Sequence, residues 1–417
     1  MYVPYAVSTQ SVRGAFNLRG MQIPNLLDAA NFADGPPYDV FRTLRREAPV
    51  YWHPHVNGGG FWAITKHADV LAVSRDSGLF SSGLKGYMPA PESDPIGIAQ
   101  SRLMLLGMDP PEHTRLRGLV NRGFTPRRVA RLEPRIRELC RQIVDAVLPR
   151  GECDFVSEIA GELPSYLIAE LVGIPREDGR KLYALTEEMH SADNAAGSHQ
   201  AMTEMFAYSA GVRTAKRANP GEDLASVLLG AEIDGERLSD LEFDLFFLLL
   251  INAGGDTTRN LVAAGTQALM DHPEQFEALR KDRSLLDGAI EEMLRFTTPV
   301  VQFQRAATRD TELSGVKIRA GEPVVIFYPS ANRDEEVFAS PDEFDIRRDP
   351  NPHVAFGGGG SHFCLGASLA RLEIRCMFDE LLDRVHELAP NGPVERLHSW
   401  FINGPRRMPV RFRAARV

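Results

Sequence analysis

One unusually long helical segment in the middle of the chain most constrains the fold. It begins at Ser239, where the sequence S-D-L-E places Glu242 three residues after the serine, as in a capping box. It runs to Asp271, and Pro273 ends it. A helix over residues 239–271 is about 50 Å long at about 1.5 Å per residue. A helix of this length crosses a whole domain, so the chain must build a large helical body around it.

The rest of the sequence predicts a mainly α protein with small β-sheets. Helical periodicity dominates from Pro111 to about Gly288 and returns after Gly366. Because β-like segments stand near both ends of the sequence, we expect them to interleave in a single domain over residues 1–417. β-like segments bounded by turn residues lie at 49–54, 61–65, 301–307, 324–330 and the chain end. Residues 1–30 are predicted to be an irregular N-terminal extension, and residues 81–100 a long loop.

Composition excludes several classes of protein. The chain has 417 residues, 43% of them hydrophobic, which is enough for a large core. A net charge of -9 argues against nucleic-acid binding. No segment reaches the roughly 20 apolar residues of a membrane span, and the N-terminus lacks a secretory signal. The four cysteines show neither CxxC spacing nor a disulfide framework. We therefore expect a cytoplasmic monomer.

The segment FGGGGSHFCLG, residues 356–366, carries the clearest chemical signal. Gly357 to Gly360 permit positive φ angles and close approach of the backbone to a flat ligand. Cys364 lies just before a predicted helix, where backbone N–H groups favour a thiolate. Such a thiolate suits axial ligation of haem iron. Two other interpretations are a buried apolar cysteine and a phosphate-binding loop, although no Lys-Ser/Thr pair follows the glycines.

The long helix contains the sequence AGGDT at residues 253–257. Two glycines inside a helix cost about 1 kcal/mol each relative to alanine. They therefore indicate either close approach of a ligand or a local opening of the hydrogen-bond ladder. Asp256 and Thr257 place a carboxylate and a hydroxyl at this point. The structural alternative is that both side chains are satisfied within a helix kink.

The Cys364 segment resembles the haem-binding loop of the cytochrome P450 superfamily, F-G-x-G-x-(H/R)-x-C-x-G. It has one more residue between Phe356 and Cys364 than the commonest bacterial form, as several actinobacterial sterol and methyl-branched-lipid hydroxylases do. The resemblance extends from about Asn31 to the C-terminus. It implies the P450 fold, with haem b between the long helix and the helix after the cysteine. It makes Cys364 the iron ligand and places Phe356, Gly366 and Ala253 against the haem.

The resemblance also assigns roles to other residues. Asp256 and Thr257 match the acid–alcohol pair that delivers protons to activated O2, which implies a monooxygenase supplied with external electrons. The matches to the haem-propionate anchors are His113, Arg117, Arg305 and His362. Taken singly, each of these could be an ordinary solvated residue. The matches to a buried structural lock are Glu292, Arg295 and Arg348, although an i,i+3 ion pair is by default a weak surface contact.

The electron source must lie outside the chain, because no flavin- or nicotinamide-binding segment is present. A dense group of arginines is either a solvated helix face or a docking surface for an acidic electron donor. Its members are Arg115, Arg117, Arg122, Arg127, Arg128, Arg131, Arg135 and Arg137. We predict a ferredoxin-type donor, served by its own reductase.

The substrate is predicted to be hydrophobic. The resemblance implies which residues form the walls of the substrate pocket. They are the loop Ser81–Leu106 and Leu249, Asn252, Ala253, Val300, Val301, Phe401 and Ile402. Most of these are apolar, which favours recognition by shape. The tail HSWFINGPRRMPV resembles the sterol and branched-lipid hydroxylases, while terpenoid, aromatic and macrolide substrates stay open. A haem-binding sensor or carrier would need Cys364 but not Asp256 and Thr257, and a nucleotide enzyme with a glycine loop would need neither.

Overall fold

The computed structural model describes residues 16–18, 21–55, 59–89, 95–121, 124–189, 195–233 and 235–414. The helices are α1 Tyr38–Glu47, α2 His67–Arg75, α3 Pro95–Ser101, α4 Glu112–Asn121, α5 Pro126–Val147, α6 Glu162–Val172, α7 Arg176–Met189, α8 Ala195–Ala218, α9 Leu224–Gly230, α10 Asp240–Asp271, α11 Pro273–Lys281, α12 Leu286–Thr297, α13 Tyr328–Ala331 and α14 Ala367–Arg384. Among these described helices, none is both long and apolar enough to cross a membrane.

The strands are short and form small sheets. They are β1 Phe16–Leu18, β2 Met21–Ile23, β3 Val50–Pro54, β4 Gly60–Ile64, β5 Phe80–Ser81, β6 Glu152–Asp154, β7 Glu232–Ile233, β8 Glu236–Arg237, β9 Gln302–Ala307, β10 Thr311–Leu313, β11 Val316–Ile318, β12 Pro323–Phe327, β13 Val385–Pro390, β14 Glu395–Arg396, β15 Pro405–Arg407 and β16 Pro409–Ala414. The predicted class, mainly α with small sheets, is confirmed.

The long helix α10 is the centre of the molecule. Its N-terminus is fixed by the predicted capping box, in which Glu242 N–H donates to Ser239 Oγ at 3.2 Å and Ser239 N–H donates to the Glu242 carboxylate at 2.8 Å. Helices α6, α8, α12 and α14 all pack against α10. The apolar core is built on it because both large buried clusters include its side chains.

The glycine pair does not open α10, contrary to one of the two interpretations of the sequence. The helix is continuous through Gly254 and Gly255. A Cβ atom on Gly254 would lie 3.3 Å from Ile168 of α6, and one on Gly255 would lie 3.1 Å from the Tyr183 ring of α7. The glycines therefore allow two neighbouring helices to approach α10 closely.

Strands distant in sequence share the main sheet, which has the order β3-β4-β12-β9-β5. β12 pairs parallel to β4 and antiparallel to β9. A second sheet joins β6 to the C-terminal strands in the order β13-β16-β6. Because both sheets combine early and late segments, we propose that residues 1–417 form one domain.

Two predictions about irregular segments were wrong in part. Within residues 1–30, β1 and β2 form an antiparallel hairpin, and Ile23 and Leu26 are fully buried in the core, because this segment covers the main sheet. Within residues 81–100, the chain begins on β5 and enters helix α3 at Pro95. Residues 1–15, 19, 20 and 90–94 lie outside the described part of the chain.

Candidate active site

Cys364 is held at the start of α14 by its own backbone. Its N–H donates to the Phe356 carbonyl at 2.9 Å, which closes the glycine loop, and Gly366 caps α14. Cys364 has solvent-accessible surface. The protein atoms around it nevertheless raise the thiol pKa by desolvation, while the N–H groups of Gly366 and Ala367 and the charges of Arg117 and Arg371 act to lower it. The helix N-terminus therefore favours the thiolate as expected, but burial outweighs it; a cation held by the sulfur would favour the thiolate further.

The glycine loop packs on α2, which the sequence did not reveal. A Cβ atom on Gly360, whose φ is 74°, would lie 2.3 Å from the Ser74 carbonyl oxygen, and one on Gly358 would lie 2.7 Å from Ser74 Oγ. Arg75 Nε also donates to the Gly358 carbonyl at 3.1 Å. At these two positions contact with α2 requires glycine, a reason that the sequence analysis did not include.

A buried carboxylate anchors the chain segment that leads into the glycine loop. Glu292 and Arg295 are both 0% exposed, and two hydrogen bonds of 2.7 and 2.8 Å join them. Glu292 also accepts from Arg348 Nε at 3.1 Å and from Asn351 Nδ2 at 3.1 Å. This Glu292–Arg295–Arg348 lock is therefore a buried network, unlike a default surface ion pair.

The neighbouring carboxylate of Glu291 holds the other side of the same loop, and sequence reasoning missed it. Arg371 of α14 donates to Glu291 at 2.6 and 2.7 Å, and His353 Nε2 lies 2.9 Å from it. These partners lower the pKa of Glu291 to about 2 against the effect of burial. The Arg371 guanidinium also lies 4.6 Å from the centre of the Phe356 ring. A detectable signal was the E-E pair in EEMLR, of which only the second member was assigned.

The four predicted propionate anchors are brought together beside Cys364. The rings of His113 and His362 lie 4.3 Å apart. Arg117 donates to the Phe363 carbonyl in the cysteine loop. Arg305, on β9, donates to the Gln304 carbonyl at 2.6 Å and acts electrostatically on His362. Residues from α4, β9 and the cysteine loop thus form one basic cluster.

This cluster fits a group that carries carboxylates. Neither ring nitrogen of His113 has a hydrogen-bond partner within the described residues, although the side chain is 1% exposed. Burial lowers the pKa of Arg117, of Arg305 and of His113, the last to about 4. Across the described ranges no carboxylate forms an ion pair with either arginine, and Asp109 is bound by Ser82 N–H at 2.8 Å. Buried cations of this kind require anionic partners, as haem propionates would be.

The acid–alcohol pair occupies two environments on α10. Thr257 Oγ1 donates to the Ala253 carbonyl at 3.0 Å, and Ala253 is exposed. Asp256 is buried, and its Oδ1 lies 3.4 Å from Arg259 Nη2. Arg259 was not anticipated from the sequence. The carboxylate is thus held by a cation while the hydroxyl is bound to the helix backbone.

The predicted pocket residues divide into two groups. Val300 and Ile402 form an isolated β-bridge, and the Phe401 ring meets Phe303 edge-on at 5.5 Å. Val301 does not belong to this group. It is fully buried in a core cluster with residues of the main sheet, so it is a core residue and not part of the pocket wall. Phe303 was missed, although its spacing of two residues from Arg305 places both on one strand face.

The helix side of the wall is also apolar. Leu249 lines a crevice with Leu103 and Leu105 of the predicted loop wall. Asn252 is partly buried on α10, one turn before Asp256. The wall combines apolar side chains with this single amide.

The arginines of the predicted docking surface differ in whether they form ion pairs with described residues. Arg115 pairs with Glu242 at 3.3 Å, Arg135 with Glu170 at 2.9 Å, and Arg137 with Glu133 at 2.8 Å. Arg127, Arg128 and Arg131 are exposed and form no ion pair with any described residue. Arg122 lies outside the described residues.

Known proteins similar to this chain identify its family. The family model for cytochrome P450 matches residues 182–396. A steroid C26-monooxygenase of Mycobacterium bovis is 42% identical over 95% of both chains, and a methyl-branched lipid omega-hydroxylase of the same organism is 40% identical over 89% of this chain and 90% of that one. The solved structure of a Mycobacterium marinum cytochrome P450 in complex with pseudoionone superposes with a TM-score of 0.86 at 40% identity, covering 92% of this chain and 97% of that one. The chain belongs to the cytochrome P450 family and is a haem-dependent monooxygenase.

Proposed function

We propose that this monooxygenase hydroxylates a terminal or near-terminal carbon of a sterol or methyl-branched lipid. The observation that carries the proposal is the apolar wall formed by Val300, Phe303, Phe401 and Ile402, which matches a hydrocarbon substrate held by shape. Relatives named for a steroid and for a methyl-branched lipid, similar over most of the chain, support the same substrate class.

The cofactor in this proposal is haem b. Haem bound to the Cys364 thiolate supplies the oxygen chemistry and accepts electrons. His113, Arg117, Arg305 and His362 bind its propionates through charged and neutral N–H donors. Phe356, Gly366 and Ala253 would hold the haem through apolar and backbone contacts. The Glu291 and Glu292 networks hold the cysteine loop in place while these contacts form.

Thr257 and Asp256 move protons in this proposal. The Thr257 hydroxyl, near the exposed Ala253, holds a proton at Oγ1 and donates it to the oxygen being activated. The Asp256 carboxylate, one residue earlier in α10, replaces that proton from solvent after leaving Arg259. A positioned acid of this kind accelerates proton transfer by about 10²–10⁴-fold.

The electron donor is proposed to be an acidic ferredoxin. Arg127, Arg128 and Arg131 lie at the start of α5, which packs along α14 behind Cys364. Because their charges are not neutralised by ion pairs within the described chain, they attract an acidic partner. Arg117, which precedes this group, already contacts the cysteine loop. The proposed docking surface therefore lies at the start of α5, which packs on the helix after Cys364.

A ligand panel tests the substrate class. Sterols and methyl-branched lipids are expected to displace water from the site and convert the haem from low to high spin, as seen in its absorption spectrum. Terpenoid, aromatic and macrolide compounds serve as matched negative panels. A spin shift confined to one of those panels would overturn the proposed substrate.

Substitution of Thr257 tests the proton-delivery role. Thr257→Ala is expected to retain haem but to lower product formed per electron pair by about tenfold or more, with hydrogen peroxide released instead. Product and peroxide are both quantified against reductant consumed. Thr258→Ala is the control, because the adjacent helix position faces a different direction. A Thr257→Ala enzyme that stays fully coupled contradicts the role.

Charge reversal tests the docking surface. The triple change Arg127→Glu, Arg128→Glu and Arg131→Glu is expected to slow reduction by a ferredoxin about tenfold at low salt, and less at high salt. Stopped-flow absorbance measures the rate. The same reversal at the exposed Arg309, Arg319 and Arg406 controls for net charge. Equal slowing by both triple variants would show that no local docking surface exists.

A further inference from the structure

Two buried polar atoms lie on the facing helices α7 and α10 without a protein partner. Tyr183 Oη and Asn252 Oδ1 form no hydrogen bond with any described residue. Leaving such atoms unpaired in the interior is unfavourable, and native proteins contain few of them. The sequence around Asn252, LLLINAGG, is otherwise apolar. An amide at this position therefore calls for a bound partner.

Both atoms belong to the region of the acid–alcohol pair. The Tyr183 ring packs on Gly255, where a Cβ atom would lie 3.1 and 3.3 Å from two ring carbons. Gly255 follows Asn252 by three residues and Asp256 follows it by four, so all three occupy neighbouring positions on adjacent turns. Asn252 also follows Leu249 of the apolar wall by three residues. Asn252 is therefore about one helical turn before Asp256, and Tyr183 packs on Gly255, which lies between them in α10.

The chemistry of the two atoms selects the partner. An amide oxygen accepts a hydrogen bond, and a phenol hydroxyl donates one. An alcohol hydroxyl both donates and accepts, so it complements both atoms: it can donate to Asn252 Oδ1 and accept from Tyr183 Oη. A hydrocarbon satisfies neither, and an ether oxygen, which only accepts, leaves Asn252 unpaired.

We infer that Asn252 and Tyr183 form a polar subsite that binds a hydroxyl group of the lipid substrate close to the carbon being oxidised. The inference rests on the proposed lipid function and narrows it. It makes an already hydroxylated lipid a better ligand than its parent hydrocarbon. The reaction that supplies such a substrate is an earlier hydroxylation or the reduction of a carbonyl group on the same lipid.

Matched ligands test the subsite in the haem-loaded enzyme. Phytanol, phytane and phytanyl methyl ether share one branched chain and differ only at the terminal oxygen. A parallel pair is cholesterol and its side-chain terminal alcohol. Dissociation constants come from the spin-state change in the absorption spectrum and from calorimetry, so no turnover is needed.

The wild-type enzyme is expected to bind each alcohol about tenfold more tightly than its parent or the ether, as one or two net hydrogen bonds allow. Asn252→Leu and Tyr183→Phe, which remove the polar atoms with little change in shape, should abolish that preference, so that each alcohol binds no more tightly than its parent hydrocarbon. The control is Thr266→Val, which removes another unpartnered buried atom ten residues past Asp256 and should keep the preference.

The contrary outcomes separate two failures. If the lipids bind but alcohol and hydrocarbon bind equally, or if both variants keep the alcohol preference, the two atoms hold only water and the subsite is wrong. If both variants weaken all ligands alike, their role is packing and the subsite is again wrong. If neither lipid series binds at all, the proposed lipid function fails, and the subsite fails with it.

Discussion

The buried carboxylate of Glu292 is the interaction on which the site depends. It neutralises Arg295 and Arg348 in the interior and fixes Asn351, five residues before the glycine loop begins at Phe356. Removing one member of such a network leaves an uncompensated buried charge, which is strongly destabilising. Glu291, its neighbour on α12, adds a second attachment through α14 and His353. Two consecutive carboxylates thus hold the cysteine loop from both sides.

The sequence predicted those features that are encoded locally. The start of α10 followed from the Ser239 capping box because a cap is a contact between residues three apart. The reason for Gly360 could not be predicted, because it is a contact with Ser74, far away in the chain. The same holds for Glu291, whose partners come from two other segments, and for the hairpin within residues 1–30. The family resemblance supplied the roles of Cys364 and the basic cluster, which spacing alone left open.

The basic cluster and the acid–alcohol pair occupy different parts of the candidate site. The basic cluster around His113 and Arg305 lies on the cysteine side. Asp109 acts on it electrostatically, but no carboxylate of the described residues forms an ion pair with Arg117 or Arg305, so the cluster suits an anionic cofactor. On the α10 side, Asp256 is held by Arg259, while the Thr257 hydroxyl is bound to the Ala253 carbonyl of the helix. The predicted pocket wall is apolar except for Asn252. In the proposed function, electron entry, proton delivery and substrate binding involve different groups of residues.

Cys364 is proposed to be the thiolate ligand of haem iron, and the ferrous–carbon monoxide spectrum is the decisive test of that role. The purified protein is reduced and exposed to carbon monoxide, beside a Cys364→Ser variant. We expect the red-shifted Soret band of thiolate-ligated haem in the native chain and its loss in the variant. A Soret band at the shorter wavelength of histidine-ligated haem, or a native chain that binds no haem, would contradict it.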